Sequence, residues 1–222
     1  MAHTAKLSAQ LHEVQIAEHA ECPVADYPRI EKIVRALAGT TPGRLLDVGY
    51  SVGGFADALV QGGWDCTGLD ITKRRHPRIR TIQCDLNEGF PVEDAGYDLV
   101  TAGEIIEHII DESAFLEECR RVLKLQGQLV LTTPNLSYLV NRFLVFAGRT
   151  PMFVYEPYHY HFHTRRTIVA LIESHGFRVE GVSASHVLYS RRFHWTGWIF
   201  EKLADWFPSF GAHVIVYARR VS

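Results

Sequence analysis

The chain has few cysteines, and they are not paired in sequence. Cys22, Cys66, Cys84 and Cys119 show no CxxC spacing. Three of them fall in apolar periodic stretches, which favours reduced core thiols over disulfides or zinc ligands. Long hydrophobic runs are also missing. No uninterrupted apolar stretch approaches the ~20 residues needed to span a bilayer, and the polar, periodic N-terminus has no signal-peptide pattern. A cytoplasmic location is therefore expected. Basic residues are not in excess, since 23 Lys and Arg against 25 Asp and Glu give a formal net charge of −2. With the short, scattered basic runs 73–75, 165–166 and 191–192, that balance argues against general nucleic-acid binding. Internal repeats and low-complexity tracts are absent. The composition is that of an ordinary globular protein, 47% hydrophobic and 22% charged over 222 residues, which fits one domain spanning 1–222.

The stretch Leu45-Leu46-Asp47-Val48-Gly49-Tyr50-Ser51-Val52-Gly53-Gly54-Phe55 organises the rest. A short apolar run ends in an acid, a loop of small residues follows, and an amphipathic segment continues through Leu59. This pattern predicts a strand, a tight turn and a helix start. Glycines there let a ligand touch backbone, and the free N–H groups of a first helical turn face it. About 20 residues on, Asp70 closes a second strand-like run, where an acid can hold ribose hydroxyls in a doubly wound α/β fold.

Strands are expected at 44–48, 65–70, 79–84, 97–102 and 129–132, with Pro134 ending the fifth. Helices are expected before the first strand (Tyr27, Ile30, Ile33, Val34, Leu37), at 53–61, from Phe115 to a stop near Gly127, and at 167–174. Glu104 to Ile109 begins a further helical turn. The alternation predicts a seven-stranded, mostly parallel, Rossmann-like doubly wound sheet with helices on both faces. The strands at 177–183 and 212–218 lack a helical crossover and should close it as an antiparallel pair. Residues 1–40 read as an N-terminal helical cap, with a weak helical pattern over 4–20. Lys73 to Pro77 reads as a solvated basic connection.

Two nucleoside classes fit a glycine loop with a distal acid. Gly49-x-Ser51-x-x-Gly54 is an imperfect dinucleotide fingerprint, which keeps an NAD(P) oxidoreductase in view. Asp47 before the first glycine, Asp85 after the third strand and the antiparallel finish favour another class. From about Arg44 to Val182 the chain resembles the class I S-adenosylmethionine-dependent methyltransferases. Leu46-Asp47-Val48-Gly49-x-x-x-Gly53 is similar to their first motif, Gly68-Leu69-Asp70 to their ribose-binding acid, and Cys84-Asp85-Leu86 to their adenine-edge motif. Tyr97-Asp98-Leu99-Val100 with Glu104-Ile105-Ile106-Glu107-His108-Ile109, Arg121-Val122-Leu123-Lys124-x-x-Gly127 and Thr132-Thr133-Pro134-Asn135 complete the order. The resemblance implies S-adenosylmethionine as cofactor, held by Asp47, Gly49, Ser51, Gly53, Asp70, Ile71, Asp85, Leu86 and Gly103. The family usually has Gly-Cys-Gly or Gly-Thr-Gly where this chain has Gly49-Tyr50-Ser51. The small Ser51 suits close approach if its φ is negative. A methyltransferase-like module without turnover is the second reading that this departure leaves open.

Glu104, Glu107 and His108 stand at i, i+3 and i+4, one face of a helix. Two carboxylates and an imidazole suit a divalent cation or general-base work on an acceptor hydroxyl. Glu-x-x-Glu-His resembles the pattern of ubiquinone-pathway O-methyltransferases and small-RNA 2′-O-methyltransferases, which implies magnesium-type assistance. His108 and Glu107 are the catalytic candidates, and Glu104, Glu107 and His108 the metal candidates. His159, His161 and His163 alternate, so His161 is a further candidate ligand if that segment is extended.

Two inserts, 136–163 and 188–210, carry more apolar surface than the scaffold needs. Leu139, Val140, Phe143, Leu144 and Ala147 form one stripe, and Trp195, Trp198 and Trp206 lie in the second insert. They fit core packing, a lid over an apolar acceptor, peripheral membrane contact or a homodimer face. The expected reaction is O-methylation of a small-molecule or lipid-like hydroxylated acceptor.

Overall fold

The computed structural model describes residues 27–51, 54–72, 75–156, 158–187 and 197–221. The expected helix at 4–20, Cys22, Gly53, Lys73, Arg74, Arg191 and Trp195 lie outside them. In chain order the elements are α1 (Tyr27–Leu37), β1 (Arg44–Val48), α2 (Gly54–Gln61), β2 (Asp65–Asp70), β3 (Arg80–Gln83) and β4 (Tyr97–Gly103). A 3-10 turn (Ile106–His108), α3 (Glu112–Val122), β5 (Leu123–Pro134), α4 (Leu139–Phe146) and α5 (Arg165–Ser174) follow. The chain continues through β6 (Phe177–Ala184), α6 (Gly197–Trp206), a second 3-10 turn (Pro208–Phe210) and β7 (His213–Arg220). Among the described residues no helix is long and apolar enough to cross a membrane.

The seven strands form one sheet in the order β3-β2-β1-β4-β5-β7-β6. The first five are mutually parallel, and β7 runs antiparallel to both neighbours, β5 and β6. The expected fold class and the antiparallel closing pair are both observed.

Strand residues alternate between two apolar layers. Leu46, Val100, Leu129, Leu131, Val214 and Val216 face α3 and α5, where they meet Phe115, Leu116, Cys119, Ile168 and Ile172. Leu45, Leu99, Val130 and Ile215 face α1 and α2, where they meet Ile33, Leu37, Ala56 and Leu59. A sheet covered on both faces selects apolar residues at successive positions, which is why Leu45 and Leu46 of β1 are both buried. Local signals set the helix starts. Asp111 caps α3 by accepting from the Ser113 and Ala114 amides, both at 3.0 Å. Thr164 and Thr167 cap α5 reciprocally.

Two expectations need correction. α3 stops at Val122 rather than near Gly127, and Leu123 already belongs to β5. Lys124, Leu125 and Gln126 bulge out of β5 between the pairs Tyr97–Leu123 and Leu99–Gln128, with Gln126 at φ +64°. The helical spacing there reflects a buried Leu123 followed by an exposed Leu125. The turn after β4 is a single 3-10 turn, and Glu104 before it sits at φ +54°. Of the readings open for the α4 stripe, core packing holds only in part, since Leu139 packs against Ala184, Val187 and Ala204 while Phe143 and Ala147 are exposed.

Among the described residues Cys66, Cys84 and Cys119 are free thiols. Burial raises all three, Cys84 to about 11, which disfavours the thiolate form.

Candidate active site

Strand order reverses between β1 and β4, so crossovers leave on opposite faces and a crevice opens at the carboxyl ends of these strands. Every described cofactor candidate lies along this edge, at or just beyond the ends of β3, β2, β1 and β4.

Asp47 is 4% exposed and accepts a 2.7 Å hydrogen bond from the Thr101 hydroxyl on neighbouring β4. Burial pushes its carboxyl up to about 7, the Thr101 donor opposes that rise, and the charge of Asp70 adds to it. An acid so placed favours a cationic partner.

The loop after β1 turns through Gly49 at φ +76°, where a Cβ would lie 2.9 Å from Ile105 Cγ1. The amides of Gly49 and Tyr50 both donate to the Leu69 carbonyl, at 3.0 and 2.9 Å. Tyr50 does not plug the crevice. Its ring lies where a side chain at Gly68 would be, 2.7 Å from the position of that Cβ, and it packs in the layer beneath α1 and α2. Ser51 departs from expectation, with φ at +48°. It holds a left-handed conformation that costs a non-glycine residue roughly 1–2 kcal/mol. Its amide donates to Asp70 Oδ2 at 2.7 Å, while the Thr72 amide and hydroxyl donate to Asp70 Oδ1 at 2.7 and 2.6 Å. Asp70 therefore ties the glycine loop to the end of β2, and these donors occupy three of about four carboxylate acceptor positions.

Asp85 accepts the amide and side chain of Asn87 on Oδ1 alone, at 2.9 and 3.0 Å. Leu86 beside it is buried, and Ile71 is half-buried with its carbonyl accepting from Gln83. Gly103 leaves room at the end of β4, since a Cβ there would meet nothing closer than Thr132 Oγ1 at 3.8 Å.

The Glu/His trio divides. Because Glu104 precedes the 3-10 turn in a left-handed conformation, it does not share a helix face with Glu107 and His108. Arg29 of α1 meets it at 2.6 Å, His213 of β7 lies at 3.4 Å, and Thr132 Oγ1 donates to it at 2.7 Å. Burial alone would raise Glu104, but His213 and Arg29 outweigh it and hold the carboxyl below its usual value. Glu107, 1% exposed, goes the other way: burial and then the Glu104 charge push it well above the ordinary range. Thr133 Oγ1 donates to Glu107 at 3.2 Å.

Residues 158–163 lie across this turn. The Tyr160 amide donates to the Glu107 carbonyl at 2.8 Å, and His108 Nδ1 is 3.1 Å from the Tyr158 carbonyl. A carbonyl only accepts, so the neutral ring carries its proton on Nδ1 and its lone pair on Nε2. The His108 and His159 rings meet edge to face at 4.6 Å. Ligand atoms of Glu107, His108 and His159 all lie within 4.8 Å of one another. The alternating histidines divide: His161 and His163 both turn to Glu112, while His159 meets His108. The metal candidates Glu104 and His161 thus stand apart from the cluster, and His159 joins it.

Sequence reasoning missed Arg29, Thr101, Thr132, Thr133, Tyr158 and His213 as site residues, and it placed His159 in a ligand-bearing segment without singling it out. The threonines had one available signal, their position near the carboxyl ends of parallel strands. Arg29 and His213 had none, because their shared partner Glu104 is distant from both in the chain.

Comparison with known proteins agrees with this geometry. Residues 17–182 match the methyltransferase domain family. A probable S-adenosylmethionine-dependent methyltransferase of Mycolicibacterium smegmatis is 32% identical over 162 residues, covering 69% of this chain and 60% of that protein. A ubiquinone biosynthesis O-methyltransferase of Bordetella avium is 31% identical over 114 residues, covering 46% of this chain and 47% of that protein. The chain thus spans 60% or less of these two relatives. Among solved structures, 1,6-didemethyltoxoflavin-N1-methyltransferase of Burkholderia thailandensis superposes with a TM-score of 0.69 at 11% identity, over 100% of this chain and 90% of that one. It was solved with S-adenosylhomocysteine bound, and at that identity the likeness speaks to the fold alone. The matched family, the strand order and the motif-bearing strand ends together place this chain among the class I S-adenosylmethionine-dependent methyltransferases.

Proposed function

We propose that the protein transfers the methyl group of S-adenosylmethionine to a hydroxyl of a small or lipid-like acceptor. The observation that carries this reading is the crevice at the β1/β4 reversal, where buried Asp47, the Gly49–Ser51 backbone and Asp70 converge. Asp47 there suits the cationic methionyl end of the cofactor, the remaining acceptor position of Asp70 suits a ribose hydroxyl, and Asp85 Oδ2 suits an exocyclic amine. Arg29, already engaged with Glu104, fixes the charge of that carboxylate at the crevice mouth.

His108 supports O-methylation. Its Nε2 lone pair is oriented by the Tyr158 carbonyl and takes the hydroxyl proton as the acceptor oxygen bonds to the methyl carbon. The carbon–sulfur bond breaks with its electron pair going to sulfur, so a neutral thioether leaves. Most of the acceleration comes from alignment and exclusion of water. That some relatives are named ubiquinone biosynthesis O-methyltransferases supports the same direction.

A second reading rests on Glu107, His108 and His159. One carboxylate with two imidazoles suits a divalent cation, and imidazole richness favours manganese or a later transition metal over magnesium. Such a cation supplies Lewis acidity that lowers the acceptor hydroxyl's pKa. The two readings use the same Nε2 lone pair, so they exclude each other.

Calorimetry with S-adenosylmethionine, S-adenosylhomocysteine and NAD tests the cofactor, and binding of NAD alone would overturn the proposal. Co-purified S-adenosylhomocysteine would favour an enzyme over a module without turnover. Incubation of a metabolite extract with the protein and labelled S-adenosylmethionine, read by mass spectrometry for a gain of one CH2, identifies the acceptor.

A further inference from the structure

Helix α4 is inside out. Its one buried residue is polar: Asn141, 1% exposed, donates from Nδ2 to the Leu136 carbonyl at 3.2 Å and accepts the Met152 amide at 2.8 Å. Leu139 at its start packs against Ala184, Val187 and Ala204, but Phe143, Val145 and Phe146 face outward, exposed by 66%, 58% and 92%. The surface continues onto the end of α6 and the turn after it, where Trp206 is 76% and Phe207 50% exposed. Arg142 joins the two parts, its guanidinium lying 4.7 Å over the Phe210 ring. Aromatic side chains left in water at this density forgo the gain of burial, so a contiguous set marks a contact surface.

Charge identifies the partner. In a chain of net charge −2, residues 135–154 hold Arg142 and Arg149 and no Asp or Glu, and residues 206–212 hold no charge at all. A twofold contact between copies would bring this face against itself, arginine towards arginine, and the carboxylates that flank it, Asp205 and Glu156, already face Lys32 and His159. Anionic lipid supplies both missing elements, an apolar medium for the phenyl and indole rings and phosphates for the guanidinium groups. We propose that the face formed by α4 and residues 206–207 rests on an anionic bilayer surface without crossing it. The face begins where β5 ends, next to Thr132 and Thr133 beneath the Glu104 and Glu107 carboxylates, so docking would present the crevice mouth to the lipid surface. The inference does not depend on the methyl-transfer chemistry.

Flotation of the full chain with vesicles of phosphatidylcholine alone, and of phosphatidylcholine with about one third phosphatidylglycerol, tests this directly. Binding is expected to the anionic vesicles and to fall steeply in high salt. Phe143→Ser with Phe146→Ser should weaken partitioning at least about tenfold, since both rings lie outside the core. Arg149→Glu should weaken it by roughly fivefold or more. Circular dichroism and cofactor binding confirm that both variants are folded. Absence of binding, equal binding to neutral vesicles, or anionic binding unchanged by the paired serines would each overturn the proposal. So would light scattering showing a dimer that the serines dissociate, in a protein that ignores vesicles.

Discussion

Asp47→Asn should make the ligand-free protein more stable at alkaline pH while weakening its hold on the cofactor. The wild-type carboxyl is buried and its pKa is raised from 3.8 to about 7. Between those values the folded protein keeps a proton that the unfolded chain has lost, so stability falls as pH rises through the window and levels off above it. At about 1.4 kcal/mol per pH unit, the full cost is on the order of 4 kcal/mol. Asparagine has the same shape and keeps an oxygen for the Thr101 hydroxyl, but it cannot ionise. Its new amide hydrogens need acceptors, which offsets part of the gain, so a net stabilisation of roughly 1–3 kcal/mol at pH 8.5 is expected. Urea titrations at pH 5.5, 7 and 8.5 measure it. Glu107, also raised by burial, leaves the variant a residual slope of the same sign. Calorimetry should show wild-type affinity for S-adenosylmethionine rising as pH passes 7, and a much flatter profile in the variant. A variant less stable than wild type at pH 8.5, or one with an unchanged pH slope, would refute the reasoning.

Other perturbations probe separate parts of the site. His108→Ala should abolish turnover, with S-adenosylhomocysteine affinity changed less than threefold or so; surviving turnover would make the histidine structural. Stripping with EDTA and adding back manganese or magnesium should leave turnover unchanged if His108 acts as a base, and should govern it if Glu107, His108 and His159 hold a cation. Manganese binding followed by electron paramagnetic resonance, lost in His159→Ala, reads the same question without activity. Ser51→Gly should relieve the left-handed strain by about 1 kcal/mol, visible as a higher melting temperature, because glycine adopts that φ freely. Gly68→Ala should destabilise by about 1–3 kcal/mol through its clash with Tyr50, and Tyr50→Ala in the same chain should recover part of that loss.

The scaffold was readable because its signals are local. Leu45-Leu46 followed by Asp47 and Gly49, the repeat of apolar positions in α3, and Pro134 at the end of β5 each report their own neighbourhood. The site was readable where it follows from strand ends: Asp47, Asp70, Asp85 and Gly103 lie at or just beyond the ends of their strands, as the expected fold requires. Failures came where backbone conformation departs from the regular period. An i, i+3, i+4 spacing places three side chains together only on a continuous helix, and Glu104 at φ +54° precedes a single 3-10 turn. Likewise the alternation of His159, His161 and His163 means one face only on an extended chain, and here His159 turns to His108 while the other two turn to Glu112. The orientation of α4 was left open for another reason. A hydrophobic stripe specifies that a helix has an apolar side, but the polar contacts of Asn141 decide which side turns inward.

The place of β7 has a consequence for the birth of the molecule. Among the described residues strand β6 pairs in the sheet with β7 alone, which is made after it and slides between it and β5. While the nascent chain emerges, β5 therefore presents a naked edge and β6 waits unpaired, until residues 213–220 clear the ribosome. Assembly of this half of the sheet waits until β7 has been made, and the half-built edge is where a stalled or clipped chain would stick to others.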